Sequence, residues 1–280
     1  MLPSIHMSRA DLHIHTTASD GVWTPTQVVE EAARIGLSAV AMADHDTVGG
    51  VEEAVAAGER YGVKVVPAVE LNTDVGPVEV HILGYFIDWR SDKLREQLAE
   101  LRKARLERGR RMVEKLRSLG VPVTLERVLE IAGSGSVGRP HVAQAICETG
   151  AVGSINAAFG RYLVRGAPAF VERTKMTPHD AVSIIVDSGG VACFAHPGKT
   201  NRDEMIPGLI KSGLRAIEVY YADQSPDITR HYESLARRFG LIATGGSDAH
   251  GFDPESGSSI GAVTVDESVV EELLALVYCK

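Results

Sequence analysis

The stretch Ala10-Asp11-Leu12-His13-Ile14-His15-Thr16-Thr17-Ala18-Ser19-Asp20 decides how the rest of the chain is read. Asp11 to His15 reads as a short buried strand, and on an extended backbone His13 and His15 point to the same face. Two convergent neutral imidazoles suit a divalent metal, because each offers a lone pair without bringing charge. Asp20, just past the strand, can add an anionic oxygen. For one such pair in isolation, histidines that merely hydrogen-bond are the better reading. What decides is whether other strand ends repeat the pattern.

They do. Thr24-Pro25 starts a helix that runs to about Ile35 and stops at Gly36. Ala39 to Ala43 is a small apolar strand, ended by Asp44-His45-Asp46. A helix over Val51 to Tyr61 leads to the strand Lys64 to Leu71, which carries Glu70, and Val78 to Phe86 alternates into a strand holding His81. Asp74-Val75-Gly76-Pro77 between them reads as a turn. Strands alternating with helices imply a parallel sheet, and their number suits a barrel. The same alternation returns late in the chain. Pro178 to Asp187 is helical, and the strand Val191 to Ala195 runs into His196-Pro197-Gly198-Lys199. Ala216 to Tyr220 is a strand and Asp227 to Phe239 a helix, and Leu241 to Thr244 leads into Gly245-Gly246-Ser247-Asp248-Ala249-His250. A short strand near Val263 and a helix from Val269 to Tyr278 follow. About seven β–α steps result.

Between these halves the pattern breaks. Ser91 to Leu119 is one long helix signal, followed by helical pieces at Thr124 to Ala132, Arg139 to Glu148 and Ile155 to Leu163. We therefore expect residues 8–88 and 170–280 to form one barrel domain and residues 89–169 a helical insertion covering its substrate side. From Asp92 to Arg117 the insertion carries ten Lys or Arg against five Asp or Glu, in a chain whose formal charge is −8. A solvated helix laced with ion pairs explains that excess as well as a basic wall for a polyanion does.

Composition bounds the function. At 280 residues and 44% hydrophobic the chain can bury a sizeable core. The acidic balance argues against a surface built to bind duplex nucleic acid, though not against a local basic groove. Cys147, Cys193 and Cys279 are few, odd in number and widely spaced, so no disulfide framework is expected and a reducing, cytoplasmic setting is. No apolar run reaches the ~18 residues of a membrane span, and Met1 to Ser8 lacks the character of a signal peptide.

The polar residues at strand ends are His13, His15, Asp20, His45, Glu70, His81, His196, Asp248 and His250. In a parallel barrel the carboxyl ends of the strands converge on one face, where active sites sit. Six of the ten histidines fall there, far more than core histidines would supply. A set of His and acid ligands without Cys suits two or three Mn, Fe or Zn ions rather than a thiolate zinc. Glu70, as the only acid of its strand, is placed to bridge two of them.

These segments, D-L-H-I-H-T-T-A-S-D-G, A-D-H-D-T, P-A-V-E, E-V-H-I-L-G, F-A-H-P and G-G-S-D-A-H, resemble the ordered motifs of the PHP (polymerase and histidinol phosphatase) family. The resemblance spans Asp11 to about Gly261. It implies a distorted seven-stranded (β/α) barrel with a trinuclear, usually manganese, site. By the same resemblance one ion falls to His13, His15, Glu70 and Asp248, a second to Glu70, His81 and His196, and a third to Asp20, His45 and His250. Glu70, Asp248 and His196 are then the catalytic candidates. The insertion and Gly138-Arg139-Pro140-His141 resemble the branch of 3′,5′-nucleotide bisphosphate phosphatases and 5′→3′ exoribonucleases. That branch implies phosphate-ester hydrolysis of nucleotides or of the 5′ ends of short RNA, by a hydroxide bridging two ions.

Arg139, beside a helix N-terminus and with a fork that matches phosphate oxygens, is the first clamp candidate, with His141 and Lys199 as others. Asp44 and Asp46 are candidates to orient imidazoles, Asp46 equally to cap the next helix. Tyr220 and Tyr221 are candidates to stack on a base or simply to pack. Cys193, His179 and His231 are expected to be structural, and His6 belongs to the leader. The competing readings are a histidinol-phosphatase-like enzyme, which needs an anionic subsite, a C–N hydrolase using the same metals, and a non-catalytic metal-binding PHP module, whose mark would be missing ligands.

Overall fold

The structure, a computed structural model, describes residues 8–173, 176–251 and 259–278; the leader with His6, and Cys279, lie outside the described residues. Strand β1 (Arg9–Ile14) is followed by α1 (Pro25–Arg34), β2 (Ala39–Met42), α2 (Val51–Tyr61), β3 (Lys64–Val75) and β4 (Val78–Tyr85). Next come α3 (Asp92–Ser118), α4 (Leu125–Ala132), α5 (Arg139–Glu148) and α6 (Ile155–Ala158), which runs into a π-helical turn at Phe159–Leu163. The chain closes with α7 (Pro178–Asp187), β5 (Val191–Phe194), α8 (Ile206–Ser212), β6 (Leu214–Tyr220), α9 (Pro226–Phe239), β7 (Ile242–Gly245), β8 (Val265–Asp266) and α10 (Ser268–Tyr278).

Local chemistry explains the boundaries. Thr24, Thr177 and Ser225 each accept a backbone N–H of the first helical turn and are each followed by Pro, which needs no donor there. α2 and α9 end on Gly62 and Gly240 in the left-handed conformation that stops a helix.

The eight described strands form one sheet in the order β7-β6-β5-β4-β3-β2-β1-β8. Just beyond the strand ends Ile14 bridges Ala249, and the His15 N–H donates to the Ala249 carbonyl at 2.9 Å, so the sheet nearly closes into a barrel. Closure needs close approach. A Cβ on Gly246 would lie 2.4 Å from the His13 backbone nitrogen. Gly246→Ala must therefore push β1 aside, and it is expected to lower unfolding free energy by roughly 1–3 kcal/mol in a denaturant titration. An unchanged unfolding curve would contradict this contact.

The sheet is not wholly parallel as the alternation of elements implies. β4 runs antiparallel to both β3 and β5, and β8 runs antiparallel to β1. The cause is a tight hairpin. β3 continues past Leu71 to Val75, and Gly76-Pro77 turns the chain directly into β4 with Gly76 at φ +58°. This reversal brings the amino-terminal half of β4 to the face where the parallel strands end. His81 therefore reaches that face from inside a strand, opposite Asn72.

The long helix α3 belongs to two packing regions. Leu94 and Leu98 pack in a cluster with Val69, Ile82, Ile185 and Ile217 of the barrel, whereas Met112, Val113 and Leu116 pack with Val128, Val142, Ile146 and Leu163. It leaves the barrel and carries α4 to α6 with it. No described helix is long and apolar enough to cross a membrane.

Candidate active site

Three overlapping groups of donors meet at the strand ends, with the donor atoms of each group within 4.8 Å of one another. The first holds His13, His15 and Asp248, the second Glu70, His81 and His196, and the third His15, Asp20, His45 and His250. Glu70 also faces the first group, with Oε1 3.5 Å from His13 Nε2 and Oε2 3.4 Å from His15 Nε2. Its Oε1 lies 2.9 Å from His81 Nδ1 and 3.1 Å from His196 Nε2, and its Oε2 lies 2.8 Å from His45 Nδ1. A fully buried carboxylate thus stands between all three groups. His15 is divided as well, Nε2 facing the first group and Nδ1 lying 3.9 Å from Asp20 Oδ1.

The chemistry of this donor set fits cations. His13 Nδ1 is held at 2.9 Å by Glu218 Oε1, an acceptor only, so in the neutral ring Nδ1 carries the proton. His13 Nε2 then presents a lone pair towards His15 Nε2 at 3.2 Å and towards Glu70 Oε1 and Asp248 Oδ1, two carboxylate oxygens that have no proton to give. His15 Nδ1, Asp20 Oδ1, Glu70 Oε2 and His196 Nδ1 are buried and find no hydrogen-bond partner among the described residues. Buried carboxylate oxygens and ring nitrogens without partners are costly, and a cation satisfies both kinds of atom.

Protons respond to the same pressure. Burial opposes charge on His13, yet Glu218, Asp248 and Glu70 raise its pKa well above the usual imidazole value. Burial instead wins at His45, which is pushed down to about 4. Against burial, the surrounding imidazoles hold the Glu70 and Asp248 carboxyls well below the ordinary range, so both stay ionised. Metal binding to such a set displaces protons from the rings.

The backbone is bent to suit. Asp46, His196 and Asp248 have φ of +52°, +27° and +53°, a left-handed region that non-glycine residues enter at a cost of roughly 1–3 kcal/mol each.

The surrounding polar residues differ in part from expectation. Among the described residues, neither Asp44 nor Asp46 is hydrogen-bonded to an imidazole. Asp44 accepts from Thr16 N, Thr16 Oγ1 and Ser19 Oγ at 2.7, 2.8 and 2.6 Å, fixing the loop that carries Asp20. Asp46 takes Arg105 Nε at 2.5 Å and the Asn72 N–H at 3.2 Å; it does not cap α2, whose cap position is Gly50. The orienting acid is Glu218, which holds the His13 ring through Oε1 and the His196 backbone N–H through Oε2 at 2.6 Å. Its only signal in the sequence is an isolated acid in the apolar run Ala216-Ile217-Glu218-Val219. Buried Asp11, pushed by burial up to about 6, accepts the Ser247 and Gly261 N–H groups and ties β1 to the segment bearing Asp248. Partners that orient a metal-binding imidazole are worth about 10- to 100-fold in metal affinity. Glu218→Gln should weaken metal binding by that order in a competition titration with a chelating dye. Unaltered affinity would remove Glu218 from the centre.

Above the donors lies a cleft of ≈ 260 Å³ with a cationic wall of Arg105, Arg108, Arg139, Arg173 and Lys199. Arg105 and Arg108 are one turn apart on the barrel-facing side of α3, where they are half-buried. Arg139, at the start of α5, donates to Glu79 Oε2 at 2.7 Å, and Arg173 donates to Glu79 Oε1 at 2.9 Å. Lys199 Nζ is 2.9 Å from Asp248 Oδ2. Burial, with the neighbouring Arg173 and Arg139 guanidinium groups, pushes Arg108 down to about 9. A guanidinium does not lose its proton in proteins, so the same pressure favours an arriving anion.

His141 is not part of this wall. Its Nδ1 accepts the Gly138 N–H at 3.0 Å and the ring also bonds the Ser19 backbone, so it fastens the α5 start to the Asp20 loop. Tyr220 turns away to Glu233, whereas buried Tyr221 lies edge-on to His196 at 6.3 Å. His179 and His231 pair with Ser212 and Asp203 away from the cleft, and Cys193 is buried beside Thr244. Arg105, Arg108 and Arg173 were not distinguishable in the sequence from other basic residues. The landing of α3 on the barrel selects Arg105 and Arg108, and pairing with Asp74 and Glu79 places Arg173.

A barrel that ends in overlapping imidazole–carboxylate groups under a cationic wall defines a metal-dependent hydrolase. Residues 11–119 match the family model described as PHP domain. The chain is 34% identical over 261 residues to the 3′,5′-nucleoside bisphosphate phosphatase of Chromobacterium violaceum, covering 91% of each. It is 34% identical to the 5′-3′ exoribonuclease Rnm of Salmonella typhimurium over 86% of this chain and 84% of that one. A solved structure from Bifidobacterium adolescentis, assigned to the metal-dependent phosphoesterases, superposes with a TM-score of 0.88 at 32% identity, over 95% of this chain and 96% of the other. The chain belongs to the PHP family and is a metal-dependent phosphoesterase.

Proposed function

We propose that this enzyme hydrolyses phosphate esters of nucleotides that carry a second phosphate, namely 3′,5′-nucleotide bisphosphates and the 5′ ends of short RNA. The observation that carries this reading is the position of four guanidinium groups in the same cleft as the donor groups. A monophosphate engages only the reacting centre; a second phosphate several ångströms away is rewarded by Arg105, Arg108, Arg139 and Arg173. The insertion that supplies three of the four acts as the substrate-covering subdomain. We further propose two to three divalent ions, manganese first, held by His13, His15, Asp20, His45, Glu70, His81, His196, Asp248 and His250. Bound there, they supply Lewis acidity at the reacting phosphate and an acidified water near neutral pH. The chain's own groups do the rest: the carboxylates and imidazoles would hold the ions, the guanidinium groups of the wall would orient the substrate, and Lys199 offsets charge beside Asp248.

A histidinol-phosphatase-like role fits less well, because a cationic substrate would meet a cationic wall. Phosphate release by manganese-loaded protein tests the proposal, with 3′,5′-bisphosphates, nucleotide monophosphates, 5′-phosphorylated short RNA and histidinol phosphate compared side by side. Bisphosphate or RNA turnover well above the others is expected. Preference for histidinol phosphate would overturn the reading.

A further inference from the structure

One carboxylate in the cleft belongs to none of the three donor groups. Glu79 precedes His81 by two residues on β4, so both side chains lie on the same face of the strand. It lines the same cleft as His81 and Arg139. Its two oxygens take different guanidinium groups, Arg139 on Oε2 and Arg173 on Oε1. The bridge is not sealed in: the side chains of Glu79, Arg139 and Arg173 are 28%, 22% and 13% exposed. Arg173 has a second acid, Asp74 at 3.3 Å, and Arg105 has Asp46. Arg108 donates to the Val171 carbonyl at 2.8 Å and has no ion pair among the described residues. The wall therefore carries more positive charge than its own carboxylates neutralise. A carboxylate spanning two guanidinium groups makes the same kind of charge-assisted contact that two phosphate oxygens would make.

We propose that Glu79 is a specificity-determining residue, an internal anion that occupies Arg139 and Arg173 until a phosphate of the substrate displaces it. A phosphate dianion brings more charge than the carboxylate it replaces and gains Arg108 besides. A singly charged group only exchanges one monoanion for another. Glu79 thereby turns a general anion site into one that favours terminal phosphate. This inference rests on the reading of the wall as the remote phosphate site, and the test separates the two.

Calorimetry on the metal-loaded protein would compare two adenosine ligands that both carry a non-hydrolysable phosphonate for the reacting centre, one bearing a phosphate at the remote position and the other the mono-methyl ester of that phosphate, which carries a single charge there. Glu79→Gln should tighten both ligands, the monoanion most, with a gain of about tenfold or more, so that discrimination between the two shrinks. Glu79→Asp keeps the charge on a shorter arm and should shift both affinities the same way by less, which preserves the test if the glutamine variant folds poorly. Weaker or unchanged binding in both variants would overturn the proposal and make Glu79 a mere positioning group for the arginines. Arg139→Ala and Arg173→Ala provide the separate control. If they weaken binding while the Glu79 variants do not tighten it, only the inference about Glu79 falls. If neither arginine affects the affinity of either ligand, the wall is not the phosphate site and the reading beneath falls too.

Discussion

Glu70→Gln is expected to abolish phosphoesterase activity and to lower bound metal at the same time. The amide has the size of the carboxylate but not its charge, and Glu70 faces all three donor groups. Its two oxygens lie among five imidazoles, from His13, His15, His45, His81 and His196, with no lysine or arginine in salt-bridge contact among the described residues. Removing its charge therefore weakens several sites together, whereas losing His250 touches one. Loss of an outer partner of a metal ligand already costs about 10- to 100-fold, so the loss here should exceed a hundredfold in kcat. Metal content and kcat measured on the same preparations check this. Full metal content with full activity would show that Glu70 is structural.

The second large effect concerns substrate choice. Arg139→Ala should reduce kcat/KM for a 3′,5′-bisphosphate by about 10- to 150-fold, the worth of one hydrogen bond between charged partners at roughly 1.5–3 kcal/mol. A nucleotide bearing only the phosphate that is cleaved should hardly respond. Arg105, Arg108 and Arg173 remain in the same cleft, so the lower half of that range is expected. Lysine should rescue part of the loss, since it keeps the charge without the fork. Steady-state kinetics on the matched substrates decides. Equal loss on both would place Arg139 on the reacting phosphate, and no loss on either would leave it only as the partner of Glu79.

Much of this molecule was legible in its sequence because local signals and tertiary needs coincide. Thr24-Pro25 and Thr177-Pro178 start helices by satisfying orphan N–H groups, and Val51 to Tyr61 shows its apolar face by spacing alone. Strand direction was less legible. Alternating elements suggest parallel pairing, and the turn at Gly76-Pro77 was visible, but only its two-residue length, together with the extension of β3 to Val75, makes it a hairpin. For the site, motif spacing pointed to nine residues that the structure brings to one end of the barrel. The outer residues were hidden for a physical reason. Glu218 and Arg105 matter through partners 205 and 59 residues away in sequence, and Arg173 through Glu79 and Asp74, 94 and 99 residues away; no local pattern encodes such a distance. Asp44 and Asp46 misled in the opposite sense, since neighbours of a ligand in sequence turned out to serve a loop and an arginine.

The most direct measurement is metal content against activity in one preparation. Protein purified without chelator, stripped, and reloaded stepwise with manganese would be assayed for phosphate release at each point, with ions per chain counted by elemental analysis. Activity should be absent from the stripped protein and rise with loading to a plateau at two to three ions per chain. Turnover that survives stripping, or saturates with no metal retained, would contradict the account.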